Sequence, residues 1–267
     1  MARGSRSMPA AVAALLQATA LLLSLGPGLA QPSAAQTDEI QVYDASIAEP
    51  GATELTLHAN YTPSGRRDAD FPGGVVAEHS LNGTLEFAHG VRDWLELGLY
   101  LPVYTIGEGA SPRFDGAKLR SLFVVPDAAH RSFFYGINFE LSWNASHWDT
   151  ARWSTEARPI VGWHLSRWDL ILNPILDSDL KGLRTVRFAP AERIAFNATE
   201  RWAFALEHYA DVGPLRRFEP WSEQEHSLFA VVDYDPGRGD SFEFGIGHGL
   251  TPAADNVVLK LIWNHAL

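Results

Sequence analysis

Two short stretches carry the residue pairing most readily associated with nucleophilic chemistry. In "HRS" (130–132) and "HLS" (164–166) a histidine stands two residues before a serine, a spacing that on a strand puts both side chains on one face. With an asparagine to orient the imidazole, such a pair could activate a hydroxyl for acyl transfer. Both stretches fall at turns between apolar runs, and neither has an asparagine in an evident orienting role. With ten histidines in the chain a chance match is cheap, so these are expected to be turn residues. His147, in "NASHWDTAR", is expected to be a solvated loop residue. The histidines never repeat at a metal-ligand spacing such as His-x-x-x-His, and neighbours such as Glu207 and His208 point to opposite faces of a strand. "GIGHG" (245–249) has no helix after it, so it builds no phosphate cradle, and its expected role is bending or close packing. No catalytic residue, cofactor site or metal site is expected.

The remaining chemistry is a set of charged and amide side chains with a common setting. Each of Glu54, Glu86, Glu96, Lys118, Arg120, Asn138, Glu140, Glu156, Arg158, Asn173, Arg193, Glu207, Asp233, Glu243 and Lys260 lies on the polar side of an alternating stretch. "SFFYGINFELSWN" (132–144) shows the pattern most plainly. Phe133, Tyr135, Ile137, Phe139, Leu141 and Trp143 share one face; Phe134, Gly136, Asn138, Glu140, Ser142 and Asn144 share the other. Eleven further stretches repeat it, at 53–61, 80–88, 95–103, 117–125, 153–163, 168–176, 193–198, 202–210, 226–234, 241–249 and 257–267. Pro190 interrupts the region 184–198, which makes it the least regular.

Composition limits what these strands can build. The 267 residues include no cysteine, which removes disulfides and thiolate metal sites, and their net charge of −11 argues against nucleic acid as a partner. Residues 1–30 have a basic start, an apolar stretch, a Gly-Pro-Gly break and a small-residue end, the layout of a signal peptide cleaved after Ala30, with Ala35 as a second candidate site. An uncleaved anchor is the alternative; a lipoprotein is excluded without cysteine. Removing 1–30 takes away two arginines and no acid, so −11 becomes −13. Nothing after residue 30 approaches the ~20 apolar residues of a membrane helix.

A closed β-barrel is the other structure that satisfies every backbone group inside a bilayer. About ten alternating residues per segment and an even number of antiparallel strands fit it. Longer polar connections, such as "TPSGRRDADFPGGVVAEH" and "DVGPLRRFEPWSEQE", alternate with shorter ones such as "HGVRDW" and "TER". Trp143, Trp153, Trp163, Trp168, Trp202 and Trp263 share the apolar parity near strand ends, where aromatic girdles meet the lipid interfaces. The expected fold is all-β: a transmembrane, antiparallel, up-and-down barrel of about 12 strands over 53–267. Residues 31–52 are expected to form a periplasmic N-terminal segment that either plugs the barrel or hangs below it. A secreted β-sandwich is the rival, but its strands are typically roughly 5–6 residues long.

Several stretches resemble a family of proteobacterial outer-membrane barrels. They are "EIQVYDASIAEPGATELTLHANY", "LILNPILDSDL", "FAPAERIAF", "LEHYADVGPL", "HSLFAVVDYD" and "FGIGHGLTPAADNVVLKLI". Its members are described as transporters or as relatives of the phenol-degradation MetA-pathway barrels, and the similarity covers most of the chain after residue 30. The resemblance implies location in the bacterial outer membrane, contact with its lipid and lipopolysaccharide, and insertion by the barrel-assembly machinery. It carries no catalytic residues. "WNHAL" departs from the aromatic ending usual in such barrels. The function expected is passage or binding of small solutes, including small aromatic or hydrophobic compounds, without catalysis. The alternatives are a structural barrel with a filled lumen and an outer-membrane lipid-modifying enzyme. Eight inward acids against five inward bases point to incomplete pairing and a weak cation preference, and Tyr100 and Phe134 would suit an aromatic solute. Asp68, Asp70 and Asp149 near loops could hold divalent ions that bridge lipopolysaccharide.

Overall fold

A computed structural model describes residues 38–267; the expected signal segment 1–30 and residues 31–37 lie outside the described residues. Alternation appears as long strands wherever the sequence shows it. They are β1 (Thr53–Ser64), β2 (Ser80–Arg92), β3 (Leu95–Ile106), β4 (Arg113–Val124), β5 (Phe133–Asn144) and β6 (Trp153–Leu165). Next come β7, in two pieces (Trp168–Asn173 and Leu176–Ser178), and β8, also in two (Arg187–Phe188 and Ala191–Asn197). β9 (Trp202–Asp211), β10 (Glu225–Tyr234), β11 (Asp240–Gly249) and β12 (Val257–Ala266) complete the set. Every neighbouring pair is antiparallel, and β12 returns to pair with β1, so twelve strands close into an up-and-down barrel. Closure leaves no strand edge unpaired, which is what a sheet needs where water is absent. Among the described residues no helix is long and apolar enough to cross a membrane.

The irregularities have local causes. Pro174 and Pro190 cannot donate to a ladder, and β7 and β8 break beside them. Ala189 N–H still donates to Ile175 O at 3.0 Å, so the two strands remain joined across the break. In β3 the register shifts between Tyr100 and Val103, which lets Tyr100 and Val103 both turn inward despite their odd separation.

The wall has an apolar exterior and a polar interior, the inverse of a soluble domain. Leu97, Leu119, Tyr135, Phe139, Leu206 and Ile246 are exposed, while Thr56, His58, Asn60, Asn82, Asn138 and Ser142 are buried. Trp168 meets Phe196 at 4.9 Å and Trp202 meets Tyr234 at 4.4 Å near the short-turn end, and Phe114 stacks on Trp143 at 5.8 Å near the other end. Two inward aromatics lie flat over a glycine on the neighbouring strand, Phe134 opposite Gly162 and Phe229 opposite Gly247. A Cβ at Gly162 would collide with the Phe134 ring, and one at Gly247 with the Phe229 ring. That close approach, within "GIGHG" for the second, is why glycine stands there.

Residues 38–48 do not join the wall. Asp38, Glu39, Val42, Tyr43, Ala45 and Ala48 are buried inside the barrel, and the chain leaves at the short-turn end, where Gly51 N–H donates to Gly90 O at 2.7 Å. Of the two alternatives for this segment, its described part therefore occupies the lumen. Val42, Tyr43 and Ala45 rest on an inward apolar patch that includes Leu122, Val124, Phe134, Ile160 and Ile171.

Candidate functional site

The lumen is the concave, polar part of the molecule, and five basic residues organise it. Arg120 on β4 binds both Glu86 on β2 and Glu96 on β3, the second at 2.5 Å. Lys118, one residue pair higher on β4, lies 2.7 Å from Asp38 and 3.8 Å from Glu140 on β5. Arg158 on β6 grips Glu156 of its own strand with two nitrogens, at 2.7 and 3.0 Å, and lies 3.7 Å from Glu39. On the far wall Arg193 of β8 contacts Glu207 on β9, Asp233 on β10 and Glu243 on β11, the last at 3.2 Å. Lys260 on β12 contacts Glu207 and, at 2.5 Å, Glu243. Alternation puts all of these groups on the inner face; Arg193 and Glu207 meet as direct cross-strand partners, whereas Arg120–Glu86 and Lys260–Glu207 reach past intervening strands.

Each residue from the sequence reading thus has a place. Glu86, Glu96, Lys118, Arg120, Glu140, Glu156, Arg158, Arg193, Glu207 and Lys260 are buried, with Asn138 donating to Glu140 at 2.9 Å. Asp233 and Glu243 are partly open to the lumen. Glu54 accepts from Asn264 at 3.1 Å near the short-turn end. Asn173 holds the N-terminal segment. The acid excess does not leave seven of the eight acids alone: each base is shared by two or three carboxylates, so the net negative charge persists within a connected network.

The structure adds residues that alternation did not single out. His58 is wholly buried, 3.3 Å from Glu86. Tyr209 donates to Glu207 at 2.7 Å; its parity with Glu207 in "LEHYA" was the available signal. Asp38, Glu39 and Tyr43 carried no periodic signal at all. The Tyr43 ring lies between the Arg158 and Arg120 guanidinium groups, at 4.4 and 5.5 Å from its centroid, and its hydroxyl bonds the Tyr100 hydroxyl at 2.6 Å. His147 is corrected: rather than standing in solvent, it bonds the fully buried Asp115 at 2.8 Å, because the link 145–152 folds back over β4. Asp70 lies 2.5 Å from Arg66 and Asp149 accepts from Ala151 N–H, so both have protein partners.

The histidine–serine stretches resolve into turn contacts. His130 bonds Asp127 and His164 bonds Asp169, each at 2.6 Å, and the partner in each case is a carboxylate. Glu207 points inward while its neighbour His208 points outward, toward Glu192 and His226. Among the described residues no three His, Asp or Glu side chains are arranged to hold a metal ion.

Two cavities open from this network. One of about 720 Å³ at the long-connection end is lined by Glu39, Ile40, Gln41, Asp177, Arg187 and Tyr209 among others. A second of about 510 Å³ at the short-turn end is lined by Tyr43, Glu54, Glu86, Glu96, Arg193 and Glu243 among others. Gln41 borders both, so the N-terminal segment is the partition between them.

The chain folds as a closed, twelve-stranded antiparallel β-barrel, a fold it shares with solved outer-membrane channels. The chain is similar to an outer-membrane channel from Pseudomonas putida F1, with 14% identity, a TM-score of 0.59, and coverage of 86% of this chain and 100% of that one. It is also similar to the KdgM porin solved with disordered oligogalacturonate, at 9% identity and a TM-score of 0.51, over 80% of this chain and 99% of the porin. No family model and no curated protein matches the chain. At these identities the likeness is one of fold.

Proposed function

We propose that this protein is an outer-membrane barrel in which small solutes bind or through which they pass, without catalysis. One observation carries the reading: two polar cavities of about 720 and 510 Å³ lie toward opposite ends of the lumen, divided by a segment that is not part of the wall. The apolar exterior supports contact with outer-membrane lipid and lipopolysaccharide, and the closed barrel supports insertion by the barrel-assembly machinery. The fold shared with channels supports the same role.

The solute class follows from the lining. Acids outnumber bases around both cavities, and low-dielectric walls concentrate the resulting field, which favours cations and polar neutral compounds. The position of the Tyr43 ring between two guanidinium groups supports a place for a small aromatic ring at the centre. Planar-bilayer recording in a salt gradient tests the reading. A reversal potential of cation sign supports it; an anion preference, or silence both there and in a liposome-swelling assay, refutes it. The second reading, a structural barrel with a filled lumen, is favoured by the continuous ion-pair network and is what silence in both assays would select. Cell fractionation tests location. Recovery of the chain, beginning near Gln31 or Gln36, from the outer membrane is expected, and recovery from the periplasm without detergent would end the barrel reading.

A further inference from the structure

The segment 38–48 is held in a manner unlike anything else in the barrel. Among the described residues it makes no backbone-to-backbone hydrogen bond with a strand. Side chains of the wall hold it instead. Asn173 donates to Tyr43 O at 3.0 Å and accepts from Tyr43 N–H at 2.7 Å, a two-bond clamp on the backbone of one residue. Arg158 donates to Gln41 O at 3.0 Å, Lys260 to Ile40 O at 3.2 Å, and Glu96 accepts from Ala48 N–H at 2.6 Å. The segment's own side chains fill the remaining places: Asp38 on Lys118, Glu39 near Arg158, and the Tyr43 ring between Arg158 and Arg120. This is how a protein recognises a peptide, with main-chain contacts for affinity and side-chain slots for specificity.

The wall is also complete without it. Lys118 keeps Glu140, Arg158 keeps Glu156, Lys260 keeps Glu207 and Glu243, and Arg120 keeps Glu86 and Glu96. Departure of the segment would orphan no buried base, which is the usual barrier to dismantling a buried ion pair. No ladder bond would be lost either.

We propose that residues 38–48 are a tethered ligand. The lumen wall is a binding site for an extended acidic peptide with a central aromatic ring, and release of the chain's own segment joins the two cavities. The opening step rests on the reading of the lumen as a passage; the binding site does not.

The test uses the folded full chain. A protease site is inserted at the exposed turn 49–51, the barrel is folded in detergent, and the turn is then cut. A fluorescent peptide with the sequence DEIQVYDASIA (38–48) is added, and anisotropy and mass spectrometry follow exchange. The expected result is one peptide per barrel, displaced by unlabelled peptide, with no uptake of a scrambled version. Asn173→Ala and Arg158→Met should each weaken binding tenfold or more. Failure of the cut fragment to exchange, or equal binding of the scrambled peptide, would overturn the proposal. Conductance gives the second arm: washing out the fragment should raise it, and added peptide should block it. If the peptide binds yet the emptied barrel stays silent, the binding site stands and the passage reading fails. If the emptied barrel conducts but takes up no peptide, the passage stands and the tethered ligand is refuted.

Discussion

Phe139 and Glu140 are adjacent in the chain and opposite in the wall, which makes them the sharpest test of the face assignment. The Phe139 ring is 45% exposed on the outer face midway along β5, edge-on to Phe123 at 6.4 Å, whereas Glu140 is 3% exposed and faces the lumen. Phe139→Arg would place a guanidinium in hydrocarbon near the midplane, a cost of about 2–4 kcal/mol in barrels of this kind. At ~1.4 kcal/mol per tenfold, that shifts the folded-to-unfolded ratio by roughly thirty- to seven-hundredfold. Glu140→Gln should behave differently. Lys118 would keep Asp38 at 2.7 Å, and Glu140 stands directly opposite Glu156 in the β5–β6 register, so its removal relieves a like-charge contact. The lost charge-assisted bonds and the relieved repulsion offset, leaving a change within about 1 kcal/mol. Reversible urea unfolding in phospholipid vesicles, followed by tryptophan fluorescence, measures both. Equal costs for the two substitutions, or a larger one for Glu140→Gln, would refute the assignment of lipid and lumen faces.

Other outcomes follow from the same geometry. Lys260→Met should cost about 3–5 kcal/mol, because it leaves Glu207 and Glu243 with one shared partner, Arg193; a vesicle unfolding midpoint near that of the unaltered chain would contradict the network. Gly162→Ala should destabilise by about 1–3 kcal/mol, since the added methyl meets the buried Phe134 ring, and a gain in stability would show that the ring moves freely. At the long-connection end, the hydrogen bond that His79 donates to the Glu108 carboxylate at 2.9 Å raises the imidazole above its ordinary value. That contact is therefore complete below the ordinary imidazole range and is lost as pH rises through the raised value. In an NMR titration Glu108→Gln should move the His79 midpoint down, and an unchanged midpoint would dissociate the pair.

The alternation in the chain was enough to place the strands and their two faces, because a period of two assigns every residue to a face before any contact is known. "SFFYGINFELSWN" becomes β5 with Phe139 outside and Glu140 inside, and Asp233, Glu243 and Lys260 sit at inward positions for the same reason. Even the weakest stretch, around Pro190, becomes a strand, since Ala189 supplies the bond the proline cannot. What periodicity could not decide is which inward groups meet. Lys260 and Glu207 are 53 residues apart and touch only because β9 and β12 curve toward the same part of the lumen. Sharing of one base among several acids depends on that curvature, so counting charges suggested unpaired acids where the structure has bridges. His147 looked solvated because its partner, Asp115, lies 32 residues earlier. The N-terminal segment is the extreme case. "DEIQVYDASIA" has neither strand nor helix periodicity, so its place is set by side chains of β1, β3, β4, β6, β7 and β12 that meet only once the barrel has closed.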